Sequence, residues 1–212
     1  MSVRGFGPCC RATRQLASLG AVVALAWFWW CAPHRTVASA AMSVQTRVRI
    51  FDPFASTGSL LPQFQRARSA SGTCWTGSLA DNRSDAWRCM VGYGIYDPCF
   101  ASPDGRNGLL CIPAPWSRSL LHLRLQKPLP SSFANHGRPP QGLPWAVELS
   151  TGGRCTMLTG PTPAVAGRRL SYACSNGDAY GGVSRRGGRW SVLFAKPHSS
   201  ALTRVRIAVA WY

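Results

Sequence analysis

Six cysteines follow a leader-like start in this 212-residue chain, and they restrict its fold more than any other feature. Cys74, Cys89, Cys99, Cys111, Cys155 and Cys174 all lie beyond residue 40, whereas Cys9, Cys10 and Cys31 fall within the first forty residues. An even set of cysteines behind an export signal predicts a disulfide framework. Six cysteines allow fifteen connectivities, and local turn chemistry narrows them. Between Cys99 and Cys111 the chain carries Asp104-Gly105 and Asn107-Gly108, pairs that favour reversal because Gly and Asn accept positive φ. A reversal there pairs 99 with 111. Cys155 and Cys174 lie in two strand-like runs joined by the turn-rich PTPAVAG, and Cys74 is left with Cys89. Zinc wants Cys or His paired at two-to-four-residue spacing, which these residues lack, so no metal site is expected.

The first forty residues explain why the cysteines should meet an oxidising compartment. Arg4, Arg11 and Arg14 precede an uncharged run from Leu16 to Pro33, and Ala38-Ser39-Ala40 follows. A basic start, an apolar run and an Ala-x-Ala site form a secretory signal, cleaved after Ala40. The rival reading is a retained signal-anchor, because the run has 18 residues and carries Trp27, Trp29 and Trp30, aromatics that favour the membrane interface. Either fate exports residues 41–212 to the periplasm, envelope or medium, and an uncleaved leader would hold the chain to the membrane through this segment.

Beyond the leader, short alternating runs separated by Gly and Pro predict a mainly β fold. A single antiparallel-sheet domain with one short helix and about three disulfides is expected. Residues 41–73 read as one strand, VQTRVRIF, followed by a Ser/Gly/Pro-rich connection, and residues 74–212 as the bridged β-rich domain. In that first strand Val44, Thr46, Val48 and Ile50 should turn inward. The run LTRVRIAVAWY at the far end should bury Val205, Ile207, Val209 and Trp211. SLLHLRLQ should bury Leu121, Leu123 and Leu125. Two hairpins are expected, one around Thr151-Gly152-Gly153 and one around Asn176-Gly177, with a turn at Arg185-Arg186-Gly187-Gly188. The helix is placed at Asp81–Val91, with Trp87, Met90 and Val91 on one face and Asp85 paired with Arg88.

Charge bounds the partners. Of 24 basic residues against 7 acids, four arginines belong to the leader, which leaves +13 on the exported part. The arginines are spread along the chain with no nucleic-acid-binding signature, so nucleic acid is not expected. Anionic envelope polymers or lipid headgroups suit such a surface better. No nucleophile elbow, metalloprotease helix, P-loop or dinucleotide fingerprint is present, and no cofactor is implied. The run MVGYGIYDPCF concentrates aromatics beside two cysteines, with Asp97-Pro98 reading as a turn. Trp87, Arg88, Tyr93, Tyr96 and Asp97 are the candidate binding residues.

The pattern CWTGSLADNRSDAWRCMVGYGIYDPCF, with Pro144-Trp145, Gly153-Arg154-Cys155 and Trp190, resembles a family of bacterial exported, disulfide-bridged domains of unestablished function. The resemblance spans roughly residues 72–212 and implies export and bridged cysteines. The expected role is a non-catalytic binding or structural domain of the cell envelope. The competing roles are an envelope hydrolase, which needs acids such as Asp85, Asp97 or Glu148 in one cleft, and a membrane-anchored extracellular sensor.

Overall fold

The computed structural model describes residues 44–65, 67–104, 108–130, 132, 134–136 and 141–212. The signal or anchor expected in residues 1–40 lies outside the described residues. Among those described, no helix is long and apolar enough to cross a membrane. The chain divides into Met1–Ala41 and Met42–Tyr212, and the described strands all belong to the second unit. The described residues of 44–73 are therefore part of the same unit as the bridged domain.

The fold is mainly β, as the punctuated alternation predicts. In chain order the strands are β1 (Arg47–Arg49), β2 (Arg68–Gly77), β3 (Ala86–Val91), β4 (Gly94–Ala101), β5 (Leu109–Cys111), β6 (Leu121–Leu125), β7 (Ala146–Leu149), β8 (Arg154–Met157), β9 (Ala164–Val165), β10 (Arg168–Cys174), β11 (Gly177–Arg186), β12 (Arg189–Ala195) and β13 (Thr203–Trp211). Strands β2 to β6 close into a barrel by consecutive antiparallel pairs, sealed by a parallel pairing of β2 with β6. The remaining strands run in the order β13-β12-β11-β10-β8-β7, and a further β7–β13 pairing closes them into a ring of six antiparallel strands. Strand β1 adds in parallel to β13.

Each closed body fills its interior with alternate side chains. Inside the barrel lie Trp87, Leu109, Leu121 and Leu123 with four of the cysteines. Inside the ring lie Val147, Tyr172, Val192, Ile207 and Tyr212. A third cluster joins the two bodies around Phe51, Phe54, Phe100, Leu110 and Trp145. There the Phe51 ring centroid lies 5.2 Å from that of Phe100 and 5.7 Å from that of Trp145.

The disulfides are Cys74–Cys89, Cys99–Cys111 and Cys155–Cys174. Each joins residues directly opposite in neighbouring strands, β2–β3, β4–β5 and β8–β10. The hairpins expected around Gly152-Gly153 and Asn176-Gly177 form as β7–β8 and β10–β11. Gly187 and Gly188, at φ 53° and 75°, make the tight turn between β11 and β12.

Five sequence expectations are corrected. Asp81–Val91 is not a helix: Ala86–Val91 is strand β3, and a short 3-10 turn forms instead at Pro62–Phe64. Ser78 Oγ accepts the backbone N–H groups of Ala80 and Asp81, and Asp81 Oδ1 accepts that of Arg83. Side chains thereby satisfy the donors as a turn, the known competition of Ser and Asp with helix formation. Asp85 pairs with Arg83 rather than Arg88. Asp97-Pro98 lies within strand β4, with a cis peptide bond, and not in a turn. Val44, Val48 and Ile50 remain exposed: β1 is a short edge strand paired with the end of β13 at Val209–Trp211, beyond the stretch that β12 covers. The supposed connection 52–73 also contains the start of β2 and buries Phe54.

Candidate functional site

Strand alternation separates the five residues singled out from the sequence. Trp87 is buried in the barrel core and is structural. Arg88 stacks over the Trp75 ring with its Cζ 5.7 Å from the centroid, and its Nε lies 4.0 Å from Asp97 Oδ2. Tyr96 is half-buried against the barrel core. Asp97 accepts hydrogen bonds from Ser78 Oγ and from Leu79 N, the latter at 3.2 Å, and burial pushes its carboxyl above the usual range. Tyr93 stands apart at the β3–β4 turn, fully exposed. The fold therefore brings Arg88 and Asp97 together, with Tyr96 beside them in sequence, and removes Trp87 from any surface.

Tyr96 and Pro98 line a cleft of about 270 Å³ with Arg68, Ile112 and Leu120. Asp97 also borders it, but its carboxylate is committed to Ser78 and Leu79. The other acids that could support hydrolysis are engaged elsewhere. Arg83 holds Asp85 from both Nε and Nη2, and Glu148 Oε1 accepts Trp211 Nε1 at 3.0 Å. Asp81 is buried beneath the same turn, and burial lifts its carboxyl to about 6 against the opposing pull of Arg83. These carboxylates form structural links and do not converge in an open cleft. The Sγ atoms of Cys89, Cys99 and Cys111 cluster within 4.8 Å of one another, but all three are spent in bridges and offer no thiolate.

A larger hollow lies on the outer face of the six-strand ring, unforeseen from the sequence. It has a volume of about 430 Å³ and is lined by Arg186, Arg189, Arg204 and Arg206, with Ser184, Ser191 and Trp190. Register assembles it. Arg186 faces Arg189 across the Gly187-Gly188 turn, Ser184 faces Ser191, and Ser191 in turn faces Arg206. Since side chains two apart share a face, the arginines of three strands meet on one side. Arg204 Nη1 donates to Ser191 Oγ at 3.1 Å, and Arg206 Nη1 to the carbonyl of Val44 at 3.0 Å. Among the described residues the ion pairs are Arg83–Asp85 and Arg88–Asp97, so no carboxylate neutralises this face. A neighbouring hollow of about 280 Å³ shares Ser184 and Arg204 and adds Arg168.

Arg185, one residue from Arg186, points to the opposite side. Its guanidinium lies over the Trp190 ring, 4.4 Å from the centroid, and donates to Tyr212 Oη and the Gly142 carbonyl. Burial pushes the Tyr212 hydroxyl up to about 12, with Arg185 pulling it back. The signal for the face was present in the sequence as Arg204 and Arg206 two apart, and Arg186 and Arg189 flanking a glycine pair. Only the pairing of β12 with β13 unites them.

Comparison of the chain with protein-family models, with curated proteins and with solved structures finds no match.

Proposed function

We propose that this chain is an exported, non-catalytic binding domain of the bacterial cell envelope that holds an anionic envelope polymer against the arginine-lined face of the ring. The observation that carries this reading is the convergence of Arg186, Arg189, Arg204 and Arg206 on one hollow without a neutralising acid. Guanidinium groups match phosphate and carboxylate oxygens in two-point contacts, and the serines supply further donors. Arg186 and Arg189 stand directly opposite each other, an arrangement that destabilises a strand pair unless an anion lies between them. Three disulfides support an oxidising compartment outside the cytoplasm. The open shape of the hollow, across several strands, suits an extended polymer passing over it.

The test is sedimentation of the purified protein with isolated envelope polymer across a salt series. The wild type should bind at low salt and release steadily as salt rises. A chain with Arg186, Arg189, Arg204 and Arg206 changed to Gln should bind far less. Salt-insensitive binding, or equal binding by the variant, refutes the reading. N-terminal sequencing of the exported protein separates a free domain from an anchored one, since a cleaved leader leaves Ala41 first.

A further inference from the structure

Four exposed apolar side chains gather on the outer face of β2–β4. Tyr93, at the tip of the β3–β4 hairpin, is 106% exposed, and the directly paired Met90 and Ile95 are 44% and 56% exposed. Trp75 on β2 is 40% exposed, two residues along from Thr73, which faces Met90. Isolated exposed hydrophobic residues are ordinary, whereas a contiguous set marks an interaction surface. The tip protrudes: a Cβ added at Gly92 would meet nothing within 4 Å. Two arginines belong to the same side. Arg88 stacks on Trp75, and Arg124 on β6 faces Ser71, further along the same outer side of β2. Asp97, the acid carried by strands β2–β6, is turned inward, where it is held by Ser78 and lies 4.0 Å from Arg88 Nε, so Arg124 is the exposed cation of this side.

An exposed hairpin tip with apolar side chains beside arginine has the chemistry to enter an anionic lipid surface. Met and Ile favour the acyl boundary of a bilayer, Tyr and Trp its headgroup level, and Arg its anionic phosphates. We infer that the β3–β4 hairpin is a membrane-docking tip, in which Tyr93, Met90 and Ile95 enter the surface of an anionic bilayer while Trp75 and Arg124 sit at its headgroups. This site is separate from the arginine-lined face and does not depend on it.

The experiment reads Trp75 directly. The full chain and its Trp75→Phe variant are reconstituted into vesicles containing brominated lipid, either with phosphatidylglycerol or with phosphatidylcholine alone. Leader tryptophans are common to both chains, so the difference isolates Trp75. The Trp75 component should be quenched in anionic vesicles and much less in neutral ones. Changing Met90, Tyr93 and Ile95 together to Ser should weaken that quenching roughly tenfold. All three positions are exposed, and unchanged non-reducing mobility and near-ultraviolet dichroism verify that the variant is folded. Quenching that is absent, equal in neutral lipid, or unaffected by the triple change overturns the inference. So does a lipid-free dimer that the triple change dissociates, because the occupant would then be a second copy. Loss of polymer binding in the arginine variants with Trp75 quenching intact would show the two sites acting separately.

Discussion

Arg83 donates from Nη1 to the main-chain carbonyl of Phe51 at 2.6 Å, tying the turn before β3 to the chain entering the aromatic seam. The same nitrogen reaches the carbonyl of Tyr212 at 3.3 Å, and Nε and Nη2 hold Asp85. Its guanidinium also lies 4.9 Å from the Phe100 ring centroid. Arg83→Met keeps most of the stem but strands the buried Phe51 carbonyl, while the Tyr212 carbonyl keeps the N–H of Phe51. Because Asp85 is partly exposed and can regain water, the expected loss is about 2–4 kcal/mol, read from the denaturant midpoint. Asp85→Asn retains an acceptor and should cost much less. Equal losses from the two would contradict a role centred on the Phe51 carbonyl.

Asp81 gives the stability a pH dependence of defined sign. Its folded pKa is raised from 3.8 to about 6, chiefly by burial, so between those values the folded chain holds a proton that the unfolded chain has released. The contribution therefore favours folding at low pH and is lost as pH rises through this window, levelling off above it. The full effect is roughly 3 kcal/mol at 1.36 kcal/mol per unit. Asp81→Asn preserves the acceptor for Arg83 N and removes the titration. Unfolding midpoints at pH 4.5 and 7.5 should show a smaller decline for the variant than for the wild type.

The elements legible in the sequence are those set by neighbours along the chain. Asn176-Gly177 and Gly187-Gly188 fix their hairpins because the turns require positive φ at Gly177, Gly187 and Gly188, whereas Cys155 and Cys174 meet through the separate pairing of β8 with β10. In segment 81–91 Trp87, Met90 and Val91 satisfy helical spacing, while pairing on both sides with β2 and β4 decides for a strand over Ala86–Val91. Alternation in VQTRVRIF marks a strand, yet its burial depends on what packs over it, and β1 lies at the sheet edge with all three of its residues exposed. Ring closure through β7–β13 and the parallel β2–β6 contact join segments far apart in sequence, where no local signal exists. The arginine face is hidden for the same reason.

Cys99 and Cys111 face each other in the barrel interior, and replacing both by Ala should cost about 3 kcal/mol, mainly by freeing the unfolded chain. Thermal unfolding of the double variant checks the magnitude. Non-reducing peptide mapping of the wild type should recover 74–89, 99–111 and 155–174 as separate linked pairs.

Arg186 and Arg189 make the arginine face separable from the fold. Their direct opposition in the ladder costs stability in the absence of a ligand, so Arg189→Gln should stabilise the free protein by about 0.2–1 kcal/mol. The same change removes a guanidinium from the hollow. Each charge contact with a polyanion releases bound counterions, so binding should weaken and the slope of log affinity against log salt should fall by roughly one. A residue kept for stability would show the reverse, with the variant less stable. Denaturant titration and the salt series together decide between them, since gained stability and lost affinity in one variant are expected only where an anion normally offsets the repulsion.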